Sequence, residues 1–341
     1  MGTGLKDFDQ VRKLSNLSDD RFSRFFDTLK RKGLVHIEFD PNGNETYRLN
    51  AIAVGWYEAM MHYLAGKPGE RAFSEKFQDY FKFFKKFNFP PLRHIQNAVL
   101  RPVIKPGQGV GILDPALSPH KKKTIPIHAD VASPESRIYP TSFVSDLIRE
   151  WGDKDAVCVF PCVCRHGAAV LDNPCRHKIP QESCIAFGDM ADAWVGYGYG
   201  RKVSTAEALD ILKAVRDRGA IHSVIHEKDD TRLPAIAICN CCWDCCGILK
   251  PYNMGAVPLK YQRYFVARIK DAASCKGCGK CERYCPTTAI ALKDKQVSLN
   301  PEKCIGCGQC AYQCVQNNIE LCLDPRPIFL PTLKPNEVRI R

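Results

Sequence analysis

The sequence lacks several features that would assign it to common classes of protein. No stretch of its 341 residues approaches a run of 18 apolar residues, so a membrane-spanning helix is not expected. The first 14 residues have no apolar signal-peptide core, which predicts a chain that is not exported by that route and resides in the cytoplasm. The G-x4-G-K-[ST] phosphate loop and the C-x-x-C-H haem motif are also absent. ATP-driven chemistry and c-type haem are therefore not expected.

Cysteine is missing from the first 157 residues and dense afterwards. All 19 cysteines lie between Cys158 and Cys322, in groups of five, five and nine. Because disulfides rarely persist in the cytosol, thiols there are kept for metals or for chemistry. The distribution predicts a cysteine-free first part of the chain and a metal-binding second part.

The strongest motif lies in residues 275–314, where one cysteine spacing occurs twice. The spacing C-x2-C-x2-C-x3-C is made first by Cys275, Cys278, Cys281 and Cys285, and again by Cys304, Cys307, Cys310 and Cys314. Glycines inside both runs suit loops that need positive φ and that turn backbone N–H groups toward sulfide. Structural zinc sites also use C-x2-C pairs, but they do not need three cysteines in tandem twice.

Residues 270–323 resemble the bacterial ferredoxins that carry two [4Fe-4S] clusters. In that family three cysteines of one run share a cluster with the last cysteine of the other run. The resemblance implies that one cluster is held by Cys275, Cys278, Cys281 and Cys314, and the other by Cys304, Cys307, Cys310 and Cys285. Val315 stands where the family usually has a proline, and ligation is expected to survive this departure.

A second group of thiols precedes the repeat and follows no standard spacing. Its members are Cys162, Cys164, Cys175, Cys184, Cys239, Cys241, Cys242, Cys245 and Cys246. Crowded thiolates select iron–sulfur clusters, zinc or copper(I), and the downstream repeat favours iron–sulfur. Adjacent cysteine side chains diverge, so the neighbours 241 and 242, like 245 and 246, are predicted to serve different irons or clusters. One or two additional iron–sulfur clusters are predicted, either two [4Fe-4S] clusters or one larger cluster.

The first sixty residues have the layout of a winged-helix domain. A short helix at 6–14 is followed by a helix that Ser18 caps, a strand at 34–39, a turn at 41–44 and a strand at 46–49. Phe22, Phe25, Phe26 and Leu29 recur at helical spacing on the second helix. Asp19 and Asp20 at its start oppose DNA phosphates, so protein docking is favoured over DNA binding, which stays the alternative.

The remaining patterns predict an α+β, multidomain fold. Residues 71–89 are predicted to form an aromatic amphipathic helix that packs on the core, with a partner-docking or membrane-surface helix as the alternative. Residues 90–140 are predicted to be a proline-rich connector. A cysteine-rich α/β domain is expected to follow, with helices from Thr141 and at 205–218 and strands at 156–160, 221–225 and 235–238. The predicted domains are winged-helix-like 1–60, helix and connector 61–140, cysteine-rich 141–265, ferredoxin-type 266–323 and tail 324–341.

The whole layout resembles multi-cluster ferredoxin-like iron–sulfur proteins of anaerobes. This resemblance implies electron transfer to a redox partner protein or within an oxidoreductase complex, and it names no substrate or catalytic residue. Two alternatives are a redox-sensing winged-helix regulator that binds DNA and a reductase whose middle cluster binds substrate at an open iron. The formal charge of +12 favours neither, because each oxidised cubane with four thiolates carries about −2 and offsets part of it.

Overall fold

A computed structural model describes residues 6–32, 34–39, 44–49, 57–103, 138–139, 141–226 and 235–340. Within these residues the chain is a mixture of helices and small antiparallel sheets, an α+β fold. None of the described helices has the length and apolar character needed to cross a bilayer.

The N-terminal part consists of two helices and a three-stranded sheet. Its elements are β1 (Lys6–Asp7), α1 (Phe8–Ser15), α2 (Asp19–Arg31), β2 (Val35–Phe39) and β3 (Glu45–Leu49), with the sheet order β1-β3-β2. The predicted helices and hairpin strands are confirmed, with Ser18 at the N-cap of α2. Phe22 and Phe26 are buried, whereas Phe25 is 51% exposed at the edge of the stripe. Gly33 and residues 41–43 lie outside the described residues, and the winged-helix assignment stays a prediction.

Three helices connect this part to the rest of the chain. They are α3 (Tyr57–Leu64), α4 (Glu70–Lys85) and α5 (Leu92–Val103). Helix α4 confirms the predicted aromatic helix: Phe81 on its inner face is buried, while Tyr80 and Phe83 remain more than half exposed.

Helix α5 corrects the predicted extended connector at 90–140. Pro90 and Pro91 directly precede the helix, where proline costs no helical hydrogen bond. The helix docks through polar contacts, since Gln96 donates to the Ala256 carbonyl at 2.7 Å and Asn97 accepts from Thr332. The inward face of this helix is polar, and the high proline content of the segment favoured a connector. The rest of that segment, 104–137, lies outside the described residues.

A six-stranded sheet forms the middle of the molecule. Its strands are β4 (Ile138–Tyr139), β5 (Val157–Pro161), β6 (Glu182–Phe187), β7 (Arg201–Lys202), β8 (Ile221–His226) and β9 (Ala235–Cys241). The order is β4-β8-β9-β6-β5-β7 and every described ladder is antiparallel. The predicted strands and helices are present. The direction of strand pairing was not predicted, because periodicity locates strands without fixing how they pair.

Helices cover both faces of this sheet. They are α6 (Thr141–Gly152), α7 (Val163–Val170), α8 (Gly188–Gly196), α9 (Thr205–Asp217) and α10 (Leu249–Asn253). Ser204 caps α9 by accepting from the Glu207 N–H at 3.2 Å, as the capping-box pattern predicts. On β6, Ile185 faces the apolar core under α6 and α9, and its neighbour Cys184 faces the opposite side. The alternation of a strand therefore directs thiols to one face.

A long two-stranded ribbon joins the sheet to the C-terminal domain. Strand β10 (Leu259–Ile269) pairs with β13 (Ile319–Leu330), and between them lie α11 (Lys280–Tyr284), β11 (Ile290–Lys293), β12 (Gln296–Leu299) and α12 (Gln309–Gln313). Both ribbon strands run across the predicted domain limits at 265/266 and 323/324, because one continuous ladder contributes to two cores.

The last residues pack back onto the molecule. Leu333 and Ile340 are buried, and Arg339 Nη1 donates to the Cys285 carbonyl at 2.5 Å. The Arg339 guanidinium also lies 3.9 Å from the centre of the Trp243 ring. The segment predicted as a tail therefore connects the C-terminal domain to the turn after β9.

Candidate metal centres

The first thiol recess lies between the loop that precedes α11 and Cys314, which directly follows α12. It contains about 450 Å³ of atom-free space, and the sulfurs that line it are those of Cys275, Cys278, Cys281 and Cys314. Backbone N–H groups approach two of these sulfurs: Gly277 donates to Cys275 at 3.5 Å and Asn318 donates to Cys314 at 3.3 Å. Cys278 is exposed. This recess therefore opens near the surface of the protein.

The second recess is the repeat-related counterpart and lies deeper. It contains about 320 Å³ of atom-free space and is lined by Cys285, Cys304, Cys307 and Cys310. Ala267 N–H donates to Cys304 Sγ at 3.4 Å, and Ala289 N–H donates to Cys285 Sγ at 3.2 Å. Three of its cysteines come from one run and the fourth from the other.

Both recesses fit the chemistry of a cubane ligand set. Each offers four sulfurs, N–H donors toward sulfur and otherwise mostly apolar walls. Burial raises the pKa of Cys281 to about 11 and also raises the pKa of Cys304. Thiols that resist deprotonation in this way need a bound cation to become thiolates. When bound, a [4Fe-4S] cluster supplies one-electron transfer.

Six of the nine middle cysteines form an open chain of neighbouring thiols, here called the six-thiol group. Each sulfur shifts the pKa of its neighbour in the order Cys164, Cys162, Cys184, Cys239, Cys241 and Cys246. Cys162 is the N-cap of α7, and Cys239 and Cys241 share one face at the end of β9. The Gly247 N–H donates to Cys164 at 3.3 Å, which brings the two ends of the chain of thiols together.

The remaining three middle cysteines form a separate cluster with a carboxylate. Cys175, Cys242 and Cys245 lie together with Asp244, and all four side chains are buried. Cys241 and Cys242 thus belong to different groups although they are adjacent in sequence, and so do Cys245 and Cys246. The cause is the turn after β9, which directs successive side chains to opposite sides.

A buried arginine lies between the two middle groups. Arg165 is 3% exposed and its guanidinium donates to the Pro180 carbonyl at 2.6 Å, Ser183 Oγ at 2.7 Å and the Asn240 carbonyl at 2.9 Å. Burial acts to lower the pKa of Arg165, but sulfurs of both groups, led by Cys162, raise it overall. The pKa of Cys162 lies well below its ordinary value because its thiolate accepts hydrogen bonds from Cys164 and Cys184.

Two cysteines stand apart from all four groups. Cys158 is fully buried in β5, and burial raises its pKa to about 12, as expected for an inert core thiol. Cys322 is partly buried on β13. Of the histidines near the thiols, His166 interacts with Glu70 on α4, and His177 packs edge-on against Trp243.

Comparison with known proteins addresses the C-terminal domain. Residues 267–315 match the family model described as a 4Fe-4S dicluster domain. Residues 267–315 are therefore similar to 4Fe-4S dicluster domains, which supports iron–sulfur binding in this part of the chain. A search of curated proteins and a search of solved structures each gave no match.

Sequence reasoning missed several residues at these centres. Asp244 stands inside the motif C-N-C-C-W-D-C-C, and a carboxylate between cysteine pairs could have been recognised as a ligand. Arg339 and the fully buried Arg263, which donates to the Cys304 carbonyl at 2.9 Å, left no comparable signal. Their partners are backbone carbonyls far away in sequence, and such contacts follow only from the folded chain.

Proposed function

We propose that the protein is an electron-transfer subunit that relays electrons between a surface partner and a buried middle centre. The observation that carries the proposal is the contiguity of the thiol groups. Sulfurs of both recesses pack in one apolar core. Cys307 of the second recess packs against the neighbouring core, which contains Cys241 and Cys246 of the six-thiol group. The order is therefore surface, first recess, second recess and middle group.

The ligand assignment proposed for the dicluster domain follows this grouping. One [4Fe-4S] cluster is held in the first recess by the sulfurs of 275, 278, 281 and 314, and the other in the second recess by those of 285, 304, 307 and 310. At least one further iron–sulfur cluster is proposed for the six-thiol group, whose six sulfurs exceed the four that a single cubane takes.

The first recess is the proposed docking edge for the redox partner. Cys278 is exposed, and the exposed side chains of Lys276, Lys280 and Val315 surround it. Exposed lysines attract an acidic partner during encounter. Val315 gives the contact an apolar centre from which water is excluded. An acidic redox protein or a subunit of an oxidoreductase complex fits this surface.

The N-terminal part is proposed as a protein-docking, winged-helix-like module. The first turn of α2 carries Asp19 and Asp20, and Arg12 is engaged by Asp19. These charges oppose DNA phosphates at the end of the helix that would read bases. A regulator that binds DNA is therefore the less favoured function, and no salt-dependent DNA binding is expected at low ionic strength.

Anaerobic purification with iron and sulfide analysis tests the relay. We expect at least about eight irons per chain from the dicluster domain alone, and EPR signals of interacting reduced cubanes. Cys281→Ser should affect one signal and Cys310→Ser the other, with Cys322→Ser as the matched control outside all groups. Fewer than about eight irons in fully loaded protein would contradict the proposal.

Arg339 is expected to tune the second recess. Its guanidinium donates a hydrogen bond to the Cys285 carbonyl oxygen. A nearby positive charge stabilises the reduced form of an anionic cluster. We expect Arg339→Leu to lower the reduction potential of that cluster by about 1–2 kcal/mol, or about 40–90 mV for one electron. Redox titration followed by EPR measures this. An unchanged potential, or an equal shift in the exposed control Arg149→Leu, would contradict it.

A further inference from the structure

The cluster of Cys175, Cys242, Cys245 and Asp244 is more compact than the other thiol groups. Its four ligand atoms lie within 4.8 Å of one another, with Cys175 Sγ 3.5 Å from Cys242 Sγ and 3.8 Å from Asp244 Oδ1. Across the described ranges, it is the only such set of three or more cysteine, histidine or carboxylate donors.

The two ferredoxin recesses serve as an internal comparison for this spacing. Their thiols line open recesses, and among the described residues no three of those sulfurs lie within 4.8 Å of one another. Thiolates on different irons are separated by the width of the cluster, whereas thiolates on one ion are close neighbours. A tetrahedral ion about 2.3 Å from each sulfur places two sulfurs about 3.8 Å apart. The separation of Cys175 Sγ and Cys242 Sγ, 3.5 Å, is close to that of two sulfurs bound to one ion.

The carboxylate of Asp244 is oriented for a ligand role. Its Oδ2 accepts a hydrogen bond from the Arg176 N–H at 2.6 Å, and Oδ1 is the oxygen near Cys175. An outer hydrogen bond of this kind fixes a ligating carboxylate and sets which oxygen meets the metal. Asp244 is 6% exposed, so its charge needs a cation inside the protein.

The charges around the cluster favour a divalent ion. Three thiolates and a carboxylate around such an ion leave a net negative charge of two. Two buried cations act on this group, Arg165 through Cys242 and Cys245, and Lys250 through Cys245 and Asp244. Lys250, together with Arg165, which also acts on the six-thiol group, offsets part of this negative charge inside the protein.

We propose that Cys175, Cys242, Cys245 and Asp244 bind a single tetrahedral divalent metal ion, with zinc as the preferred ion. Loading replaces three thiol protons by the ion, and no electron is transferred. All four positions are taken by protein donors, which is the arrangement of structural zinc sites. The ion ties the loop after α7 to the turn after β9, and it lies beside the electron relay without belonging to it.

Metal analysis of the full chain tests this site independently of the relay. Protein made anaerobically in medium containing zinc and iron should hold one zinc per chain. Zinc-edge X-ray absorption should show three sulfurs at about 2.3 Å and one oxygen at about 2.0–2.2 Å. A single high-spin ferrous ion, seen by Mössbauer spectroscopy and lost in the same variants, would equally support a single-ion site.

Variants separate the ligands from their surroundings. Cys245→Ser should lose the ion, and Asp244→Ala should bind it at least tenfold more weakly, since outer partners alone are worth about 10–100-fold. Asp244→Asn keeps the shape of the side chain and should weaken binding in a folded protein. The exposed Asp189→Ala and the unassigned Cys322→Ser serve as controls with unchanged metal content.

Two results would overturn the single-ion site. One is a zinc shell of four sulfurs that is unaffected by the Asp244 substitutions. The other is loss of an iron–sulfur EPR signal, with no change in zinc or mononuclear iron, in Cys245→Ser. Neither result touches the dicluster signals, so failure of this site and failure of the electron relay are distinguishable.

Discussion

Gly306→Ala is expected to remove the cluster of the second recess and to leave that of the first. Gly306 lies between Cys304 and Cys307 with φ +76°, and a Cβ there would lie 2.2 Å from the Phe265 carbonyl oxygen. Phe265 pairs with Leu323 in the ribbon, so its backbone is held in place. The left-handed conformation alone costs about 1–2 kcal/mol of folding free energy when the residue has a side chain. A clash with a fixed backbone adds to this, and we expect a total loss of stability above about 4 kcal/mol.

Gly279→Ala is the matched control in the other recess. Gly279 also has positive φ, at +70°, but the nearest heavy atom to an added Cβ is Leu292 Cδ2 at 3.8 Å. Only the conformational cost of about 1–2 kcal/mol is expected there. Iron content should fall by about four per chain in Gly306→Ala and stay full in Gly279→Ala, with one EPR signal lost. Full iron content and an unchanged melting temperature in Gly306→Ala would contradict the steric argument.

The sequence was sufficient for features that depend on local spacing. The double cysteine run predicted a dicluster segment, and the family match at 267–315 supports it. The Ser204 cap and the helix that follows it were also predictable, because the N-cap residue and its partner Glu207 are three residues apart. The aromatic helix α4 was predictable from its period, although Tyr80 and Phe83 lie outside the buried face.

The features that escaped prediction depend on contacts between distant segments. Periodicity on β9 places Cys239 and Cys241 on one face, but nothing in the sequence shows that Cys242 meets Cys175 across 67 residues. Helix α5 was hidden because its polar side chains, such as Gln96, make the inward contacts. The antiparallel order of the middle sheet likewise follows from tertiary pairing and not from pattern.

Arg165→Leu is expected to strip metal from the middle domain and to spare the dicluster domain. The guanidinium is 3% exposed and acts on sulfurs of both middle groups. Without it, thiolates in both groups become buried charges with one compensating cation fewer. Removing one partner of a buried charged set costs about 3–5 kcal/mol. Iron and zinc per chain should both fall, because the same cation serves the six-thiol group and the Asp244 cluster.

Conservative and distant variants show which property of Arg165 matters. Arg165→Lys keeps the charge but loses the planar fork that reaches the Pro180 and Asn240 carbonyls and Ser183 Oγ. We therefore expect it to retain more metal than the leucine variant and less than the native chain. Arg149→Leu removes a half-exposed arginine paired with Asp146 on α6 and should retain full metal. If Arg165→Leu kept its full iron and zinc, charge compensation by this residue would be ruled out, and the carbonyl contacts alone would explain why an arginine is buried between two groups of thiols.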